Sequence, residues 1–256
     1  MTGNTLRGAA TRHVTARELS QTAGKPNRGA PAYSRWVNRP IGRQLAILAF
    51  QAGMTPNQVT LASGAVSLCG IVLLGAGPAT IPVGILVALL LALAYALDSA
   101  DGQLARMQGT GSATGEWLDH VIDCLKIASL HMAVLVCWYR NFDLSPATLL
   151  VPIGFGIQAS AYFFTKILTD ALRAAHARPP VGGERDATPR PRAEEHSPAL
   201  ASLVVLPLDY GLLCLLFALL GFHSAFVWSY SALALAGGLL LGAGFVRWYR
   251  DLSRLG

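Results

Sequence analysis

Charged residues are scarce in this chain. Only 13% of its 256 residues are Asp, Glu, Lys or Arg, whereas 53% are hydrophobic and the mean hydropathy is +0.45. An average soluble domain carries about 25% charged residues. This composition excludes an ordinary soluble fold and indicates a protein that crosses a membrane several times.

Cysteine is scarce as well. The four cysteines all lie within apolar stretches and show neither paired nor metal-ligand spacing: Cys69, Cys124, Cys137 and Cys214. A disulfide framework and a thiolate metal site are therefore excluded, and we interpret these residues as small core residues. A secretory signal peptide is also missing, because the first apolar run begins near residue 57, after a long polar and basic segment. We expect that run to remain in the protein as a membrane helix.

Six apolar segments dominate the rest of the chain. Each is about 20 residues long, enough for a helix to cross a bilayer core. They lie near 58–76, 80–99, 116–138, 147–168, 201–220 and 226–246. The predicted fold is an all-α, polytopic membrane bundle of six transmembrane helices, contained in a domain that spans residues 53–250.

Three segments outside the predicted spans differ in character. Residues 1–32 form a basic N-terminus that we predict to be disordered, and the Pro/Arg/Glu-rich loop 170–198 is predicted to be flexible. Residues 33–52 carry apolar residues at helical spacing together with three arginines, which predicts a short juxtamembrane amphipathic helix. This helix lies either along an anionic membrane surface or against the protein's own membrane domain.

The distribution of basic residues predicts the topology. Of the 20 Lys and Arg residues, 17 fall in the N-terminal region, in the loop after the second segment, in loop 170–198 and in the C-terminal tail. The positive-inside rule then places both termini in the cytoplasm of an inner-membrane protein. Because the net charge of +6 is largely a topology signal, we do not expect a nucleic-acid partner.

Four aspartates interrupt this apolar pattern in the stretch 97-LDSADGQLARMQGTGSATGEWLDHVID-123. Asp98 and Asp101 end the second segment, and Asp119 and Asp123 begin the third. Spacings of three and four residues put each pair on one helix face, and the short intervening loop brings both pairs to the cytoplasmic membrane face. The four carboxylates are therefore predicted to converge.

Converging carboxylates near a bilayer repel one another and lose hydration, which is costly unless they are neutralised. Arg106 and Lys126 are too few to neutralise four acids. Oxygen-ligated Mg²⁺ or Mn²⁺ suits an all-carboxylate cluster, and two such ions balance four charges. The alternative is four separate helix-end residues in water.

Phosphoryl chemistry fits such a pair of metal ions, which can bridge phosphate oxygens. Gly102 allows a nucleotide to approach the backbone, and Arg106 offers a two-pronged guanidinium for phosphate. Ser112 precedes the third segment, where a helix N-terminus with free N–H groups favours anions.

At this point the sequence resembles the CDP-alcohol phosphotransferases, also called CDP-alcohol phosphatidyltransferases. Their signature, Asp-x2-Asp-Gly-x2-Ala-Arg-x8-Gly-x3-Asp-x3-Asp, is complete here, at Asp98, Asp101, Gly102, Ala105, Arg106, Gly115, Asp119 and Asp123. The six-helix layout and the stretch 55-TPNQVT-60 before the first helix are also similar to the family.

The resemblance implies a role for each matching residue. Asp98, Asp101 and Asp119 would hold the metal ions. Asp123 would contact the second metal and act as the base that deprotonates the acceptor hydroxyl. About 6 Å deeper in its helix than Asp119, it would also be drier. The CDP-alcohol would be bound by eight residues: Asn57, Gln58, Val59, Thr60, Gly102, Ala105, Arg106 and Ser112.

The reaction implied by the resemblance transfers a phosphatidyl group from a CDP-alcohol, most simply CDP-diacylglycerol, to an alcohol with release of CMP. We predict a phosphorylated polyol acceptor, such as inositol phosphate or glycerol phosphate, with Lys126 and Lys166 as its binding residues. Each lysine has an alternative: Lys126 forms a salt bridge to an active-site aspartate, and Lys166 extends to the membrane interface. The resemblance also implies a homodimer.

Three other functions fit parts of the pattern. One is a CDP-choline or CDP-ethanolamine type of transfer to a lipid hydroxyl. A membrane prenyltransferase would also use aspartates and Mg²⁺, but its two acidic motifs are usually far apart in sequence. A transporter would relay ions through intramembrane acids, which would be spread through the membrane depth.

His120 is left out of the metal site because it points about 100° from the Asp119–Asp123 face, and His131 is interpreted as a packing residue.

Overall fold

The computed structural model describes residues 15–22, 31–176 and 205–254, and all regular structure within these ranges is helical. The helices are α1 (Ala16–Thr22), α2 (Arg39–Gln51), α3 (Pro56–Ala76), α4 (Ile81–Gln108), α5 (Ala113–Asn141), α6 (Leu150–His176), α7 (Tyr210–Leu216) and α8 (His223–Leu252). A π-helical turn, Ser34–Asn38, leads into α2, and a 3-10 turn, Phe217–Leu219, continues α7. The prediction of an all-α membrane bundle is confirmed.

Four of the described helices are long and apolar enough to cross a membrane, namely α3, α4, α5 and α8. Helix α6 has 27 residues but is not among them, and α7 with its 3-10 turn is a shorter apolar helix, Tyr210–Leu219. The chain is therefore a multi-pass membrane protein, whereas the predicted count of six spans is not confirmed. Residues 201–204, which begin the predicted fifth span, lie outside the described residues.

Several helix boundaries differ from the sequence prediction. Helix α4 continues past Asp98 to Gln108, so the DGQLAR stretch is helical and does not form a loop. It ends where Gly109 adopts a positive φ of 66°, a conformation that glycine accepts at little cost. Helix α6 continues to His176, so residues 170–176 of the predicted flexible loop are helical, and the rest of that loop lies outside the described residues. Most of the predicted disordered segment 1–32 is also outside them, but its part Ala16–Thr22 is helix α1.

The two ends of α3 show how the bundle is oriented. Its N-terminus is fixed by a capping box, in which Thr55 accepts from the backbone N–H of Gln58 and donates its own backbone N–H to the Gln58 side chain. At its C-terminus, Arg140 of α5 donates to the carbonyls of Gly75 and Ala76, both at 2.9 Å. The start of α3 therefore lies beside the start of α5, and its end lies beside the end of α5.

The main core lies towards the end of the bundle that holds Arg140. Its largest fully buried side chains are aromatic: Trp138, Phe217, Phe226 and Tyr230. His131, only 2% exposed, joins α5 to α8 through a 2.6 Å hydrogen bond between its Nδ1 and the hydroxyl of Tyr230. This supports the interpretation of His131 as a packing residue. The outward faces carry large apolar side chains such as Leu89, Leu235 and Leu239, as expected of surfaces that face lipid.

Helix α2 lies against α4 with one face and exposes the other. Gly42 permits this approach, because a Cβ at that position would lie 2.8 Å from the Ser99 side chain. Ala46 and Ile47 are buried, whereas Ile41 and Leu48 are 47% and 60% exposed. Of the two positions proposed for this segment, the structure shows packing on the membrane domain and leaves an apolar strip free to face the bilayer.

Candidate active site

Asp101 is held in place by two hydrogen bonds at the junction of α3 and α4. The hydroxyl of Thr60 donates to its Oδ2 at 2.6 Å, and the backbone N–H of Gly102 donates to its Oδ1 at 2.5 Å. The residue is only 6% exposed. Because a buried carboxylate is stable only with such partners, Thr60 fixes the position of Asp101.

Lys126 joins the two aspartate pairs. Its Nζ lies 2.5 Å from Asp98 Oδ1 on α4 and 2.7 Å from Asp123 Oδ1 on α5. The three side chains are mostly buried, with 11% of Lys126, 21% of Asp98 and 27% of Asp123 exposed. The salt bridge considered as an alternative for Lys126 is therefore present, and it connects acids that are 25 residues apart in sequence.

A third group lies in the first turns of α5. One ligand atom each from Asp119, His120 and Asp123 lies within 4.8 Å of the other two, an arrangement that could hold a metal ion. This geometry brings His120 next to two of the predicted metal ligands, although its position on the helix predicts that it points away from them. An imidazole is long enough to turn back towards an adjacent helix face, so the helical angle alone did not decide where its nitrogens lie. The Nδ1 of His120 is buried and makes no hydrogen bond within the described part of the chain.

The donor set of this region fits divalent cations. It consists of carboxylate oxygens, which suit Mg²⁺ and Mn²⁺, with one neighbouring imidazole, which is a ligand of transition metals. An ammonium already occupies the space between Asp98 and Asp123, which shows that the two carboxylates can share a cation. The buried, unpaired Nδ1 of His120 is a further polar atom in need of a partner.

The residues predicted to bind the nucleotide diphosphate gather at the same end of the bundle. Arg106 folds back along α4, so that a Cβ added at Gly102 would lie 3.4 Å from its Nη1. Ser112 caps α5 by accepting from the N–H of Gly115 at 3.1 Å. A Cβ at Gly115 would lie only 3.1 Å from Asn57 Oδ1, so glycine here lets the starts of α3 and α5 approach each other.

The remaining residues predicted to contact the nucleotide are placed differently. Gln58 uses its Oε1 to cap α3, accepting from the N–H of Thr55 at 2.9 Å. Val59 is 2% exposed and packs in a small core cluster with Ala46, Ala100 and Leu104. Ala105 is partly buried on α4. Gln58 therefore serves as a helix cap and Val59 as a core residue, whereas Thr60 reaches the site through its hydrogen bond to Asp101.

The described contacts of Lys166 differ from those of Lys126. It is 59% exposed, and its described ion partner is Asp170, at 3.6 Å on the next turn of α6. One turn further on, Arg173 bonds to Asp251 of α8 at 2.9 Å. The described contacts of Lys166 thus fit the interface position considered as its alternative.

Asp209 connects the N-terminal segment to α7. It is 2% exposed and accepts from the backbone N–H groups of Ser34 and Gly211, both at 3.0 Å. It therefore caps α7. Tyr33 packs beside it, and burial, together with the nearby Cys214 and Asp209, raises the pKa of the Tyr33 phenol.

Two apolar clefts, of about 420 and 600 Å³, open on the surface of the bundle. The smaller lies between α6 and α8, and the larger lies along α3 from Leu68 to Gly77. Neither includes an aspartate, so the polar chemistry and the apolar clefts are separate features of this molecule.

Most of the chain matches the sequence model of one known family. The sequence model of the family described as CDP-alcohol phosphatidyltransferase matches residues 53–243. The chain is 34% identical over 110 residues to archaetidylinositol phosphate synthase from Pyrococcus horikoshii, which covers 43% of this chain and 54% of that protein. The chain thus spans about half the length of this curated relative.

A crystal structure of phosphatidylinositol phosphate synthase from Mycobacterium tuberculosis, with CDP-DAG bound, is also similar. The match has a TM-score of 0.49 and 19% sequence identity, and covers 86% of this chain and 93% of the other.

Proposed function

Because the chain belongs to the CDP-alcohol phosphatidyltransferase family, a family of membrane-bound transferases, we propose that it transfers a phosphatidyl group from CDP-diacylglycerol to a polar alcohol and releases CMP. The observation that carries this proposal is the meeting of Asp98, Asp101 and Asp123 beside Arg106 and Gly102, at one end of an apolar bundle. The positive-inside pattern supports a cytoplasmic position for this end.

The chemistry of each group of residues gives it a separate proposed role. Asp98, Asp101, Asp119 and Asp123 would hold two divalent cations, Mg²⁺ or Mn²⁺, with His120 adjacent. When bound, such ions neutralise charge on the phosphate oxygens in an in-line displacement. Arg106, lying over Gly102, would bind the diphosphate through paired hydrogen bonds. Asn57 and Ser112 would line the part of the site that binds the nucleotide.

In the proposed transfer reaction, Asp123 acts as the general base. A new bond forms between the acceptor oxygen and the lipid-linked phosphorus, and the bond from that phosphorus to CMP breaks. The proton of the acceptor hydroxyl passes to an Asp123 carboxylate oxygen. Asp123 is suited to this because it is 27% exposed and its helix carries it inward from Asp119. A general base must lie within hydrogen-bond reach of the proton that it takes.

The acceptor that we propose is a phosphorylated polyol such as inositol phosphate or glycerol phosphate. Support comes from the named activity of the Pyrococcus horikoshii relative and from the exposed Lys166 on α6, whose surface ion pair with Asp170 is weak enough for an anionic substrate to replace. Lys126 is engaged by two aspartates, so Lys166 is the better candidate of the two for the acceptor phosphate.

The test is CMP release by the purified protein in detergent, with CDP-diacylglycerol, Mg²⁺ or Mn²⁺, and a panel of acceptors. We expect release with a phosphorylated polyol and none without metal. Release only with a lipid hydroxyl and CDP-choline would replace the proposed donor and acceptor. A protein that releases no CMP with any acceptor but moves ions across proteoliposomes would favour a transporter.

The variant Asp123→Asn tests the assignment of the base. We expect it to lose turnover, because the amide cannot take the proton, while CDP-diacylglycerol still binds. Asp143→Asn is the matched control, since Asp143 is exposed and follows the far end of α5. Turnover of Asp123→Asn at the wild-type rate would remove Asp123 from this role.

A further inference from the structure

The contact between Lys126 and the two aspartates has a consequence for metal loading. A single ammonium, with 11% of its side chain exposed, lies 2.5 Å from Asp98 and 2.7 Å from Asp123. Asp98 is on α4 and Asp123 on α5, so the lysine spans the space between the two acidic pairs. This ammonium offsets one of the two negative charges of these carboxylates.

Electrostatics does not favour both kinds of cation at this position. The oxygen atoms that Lys126 contacts are carboxylate oxygens of the proposed metal ligands. A divalent ion bound to the same two carboxylates would lie a few ångströms from the ammonium, in a region where partial burial weakens screening. Like charges at that separation repel by more than they do in bulk water, which favours withdrawal of the lysine when the metal binds.

We propose that Lys126 is a built-in counter-ion which metal displaces: it holds Asp98 and Asp123 together in the metal-free protein and is released when a divalent cation takes its place. This inference rests on the proposed function, because it requires metal at these two aspartates. It gives Lys126 a positioning role in place of the acceptor-binding role expected from the sequence. The lysine would keep the acids from driving α4 and α5 apart before metal arrives.

A lysine that has to be displaced also weakens metal binding. Replacing it with a neutral side chain of similar length should therefore tighten binding, whereas loss of a merely structural contact would leave binding unchanged or weaken it. We expect Lys126→Met to lower the half-saturating Mn²⁺ concentration by about tenfold, which corresponds to one unfavourable charge contact in a partly buried site. Lys126→Arg, which keeps the charge, should stay close to wild type.

The first measurement is binding of Mn²⁺ alone to the full-length protein in detergent, followed by the loss of the free Mn²⁺ electron paramagnetic resonance signal, with no substrate present. Lys166→Met serves as the control because it removes an exposed lysine whose ion partner, Asp170, lies outside the cluster. Equal or weaker Mn²⁺ binding by a folded Lys126→Met protein would overturn the proposal. A wild-type protein that binds no Mn²⁺ would overturn the proposed metal site as well, so the two failures are distinguishable.

The second measurement uses the wild-type protein and does not depend on a variant that folds. An amine-reactive reagent is applied with EDTA or with saturating Mn²⁺, and modification of each lysine is read by mass spectrometry. We expect Mn²⁺ to increase modification of Lys126 several-fold while that of Lys166 stays constant. No change at Lys126, in protein shown to bind Mn²⁺, would mean that metal and ammonium occupy the cluster together, and the counter-ion role would be discarded.

Discussion

Thr60→Val tests how the site holds its most buried carboxylate. Thr60 donates to Asp101 Oδ2 at 2.6 Å, and Asp101 is 6% exposed, so water cannot readily replace the lost donor. Valine keeps the size and branching of threonine but has no hydroxyl. A hydrogen bond to a charged group contributes about 1.5–3 kcal/mol. Since Gly102 continues to donate to Oδ1, we expect a loss of about 2 kcal/mol.

The loss can be measured by reversible unfolding in mixed micelles with increasing SDS, in the presence of EDTA so that metal does not contribute. Thr60→Ser is the matched control, because it keeps the hydroxyl and removes only a methyl group, and it should unfold close to wild type. In CMP-release assays, Thr60→Val should also need more Mg²⁺ for half-maximal rate, since Asp101 is less firmly oriented. Identical unfolding of Thr60→Val and wild type would refute the reasoning that Thr60 positions Asp101.

Three further predictions follow from other contacts. His120→Asn should lower the preference for Mn²⁺ over Mg²⁺ in CMP release, because imidazole favours transition metals; an unchanged ratio of the two rates would show that His120 is not a ligand. Arg140→Met removes two hydrogen bonds to the end of α3 and should cost about 1 kcal/mol in SDS unfolding, without slowing CMP release by the folded protein. Asp209→Ala removes the acceptor shared by Ser34 and Gly211 and should cost about 2 kcal/mol; it should also expose the segment before α2 to protease, and an unaltered digestion pattern would argue against this anchoring.

Much of the fold could be predicted because lipid imposes one simple rule, that backbone groups within the membrane bond inside a helix. The apolar runs therefore marked the helices, and the cores of α3, α4, α5 and α8 match them. The ends are harder to predict, because the aspartates and Gly102 favour the start of a loop. A helix tolerates an aspartate whose side chain has a partner, and a single glycine costs it only about 1 kcal/mol relative to alanine, so α4 stops only at Gly109.

The short α7 shows a different limit of sequence prediction. Hydropathy predicted a full span over 201–220, but only a 3-10 turn, Leu206–Leu208, is described before Asp209, and α7 begins after it. The Asp209 side chain caps α7 and accepts from Ser34. That contact joins residues 175 positions apart in sequence. No local pattern signals such a pairing, so the role of Asp209 depends on how the N-terminal segment packs on the bundle.

The sequence predicted which aspartates form the cluster, but it did not predict that Lys126 contacts both Asp98 and Asp123. Spacing along one helix brings Lys126 within reach of Asp123, since residues three apart share a face. Its contact with Asp98, 28 positions away, depends on how α4 and α5 are set against α3. Two close contacts fix that setting: Thr60 bonds to Asp101 of α4, and Gly64 lies against Ile122 of α5, where a Cβ would be 3.1 Å from the isoleucine side chain.

Because these contacts fix how α4 and α5 lie against α3, the space between the two aspartate pairs depends on this packing as well as on Lys126. Gly64→Val should therefore push α5 away and lengthen the Lys126–Asp98 contact more than the contact with Asp123, which is within one helix. We expect weaker Mn²⁺ binding in that variant even though every acidic residue is retained, measured by the same electron paramagnetic resonance titration. Gly154→Val is the control, since a Cβ there would meet nothing within 4 Å. Wild-type Mn²⁺ affinity in Gly64→Val would mean that the acids adapt to the cation, and that α3 does not set the geometry of the site.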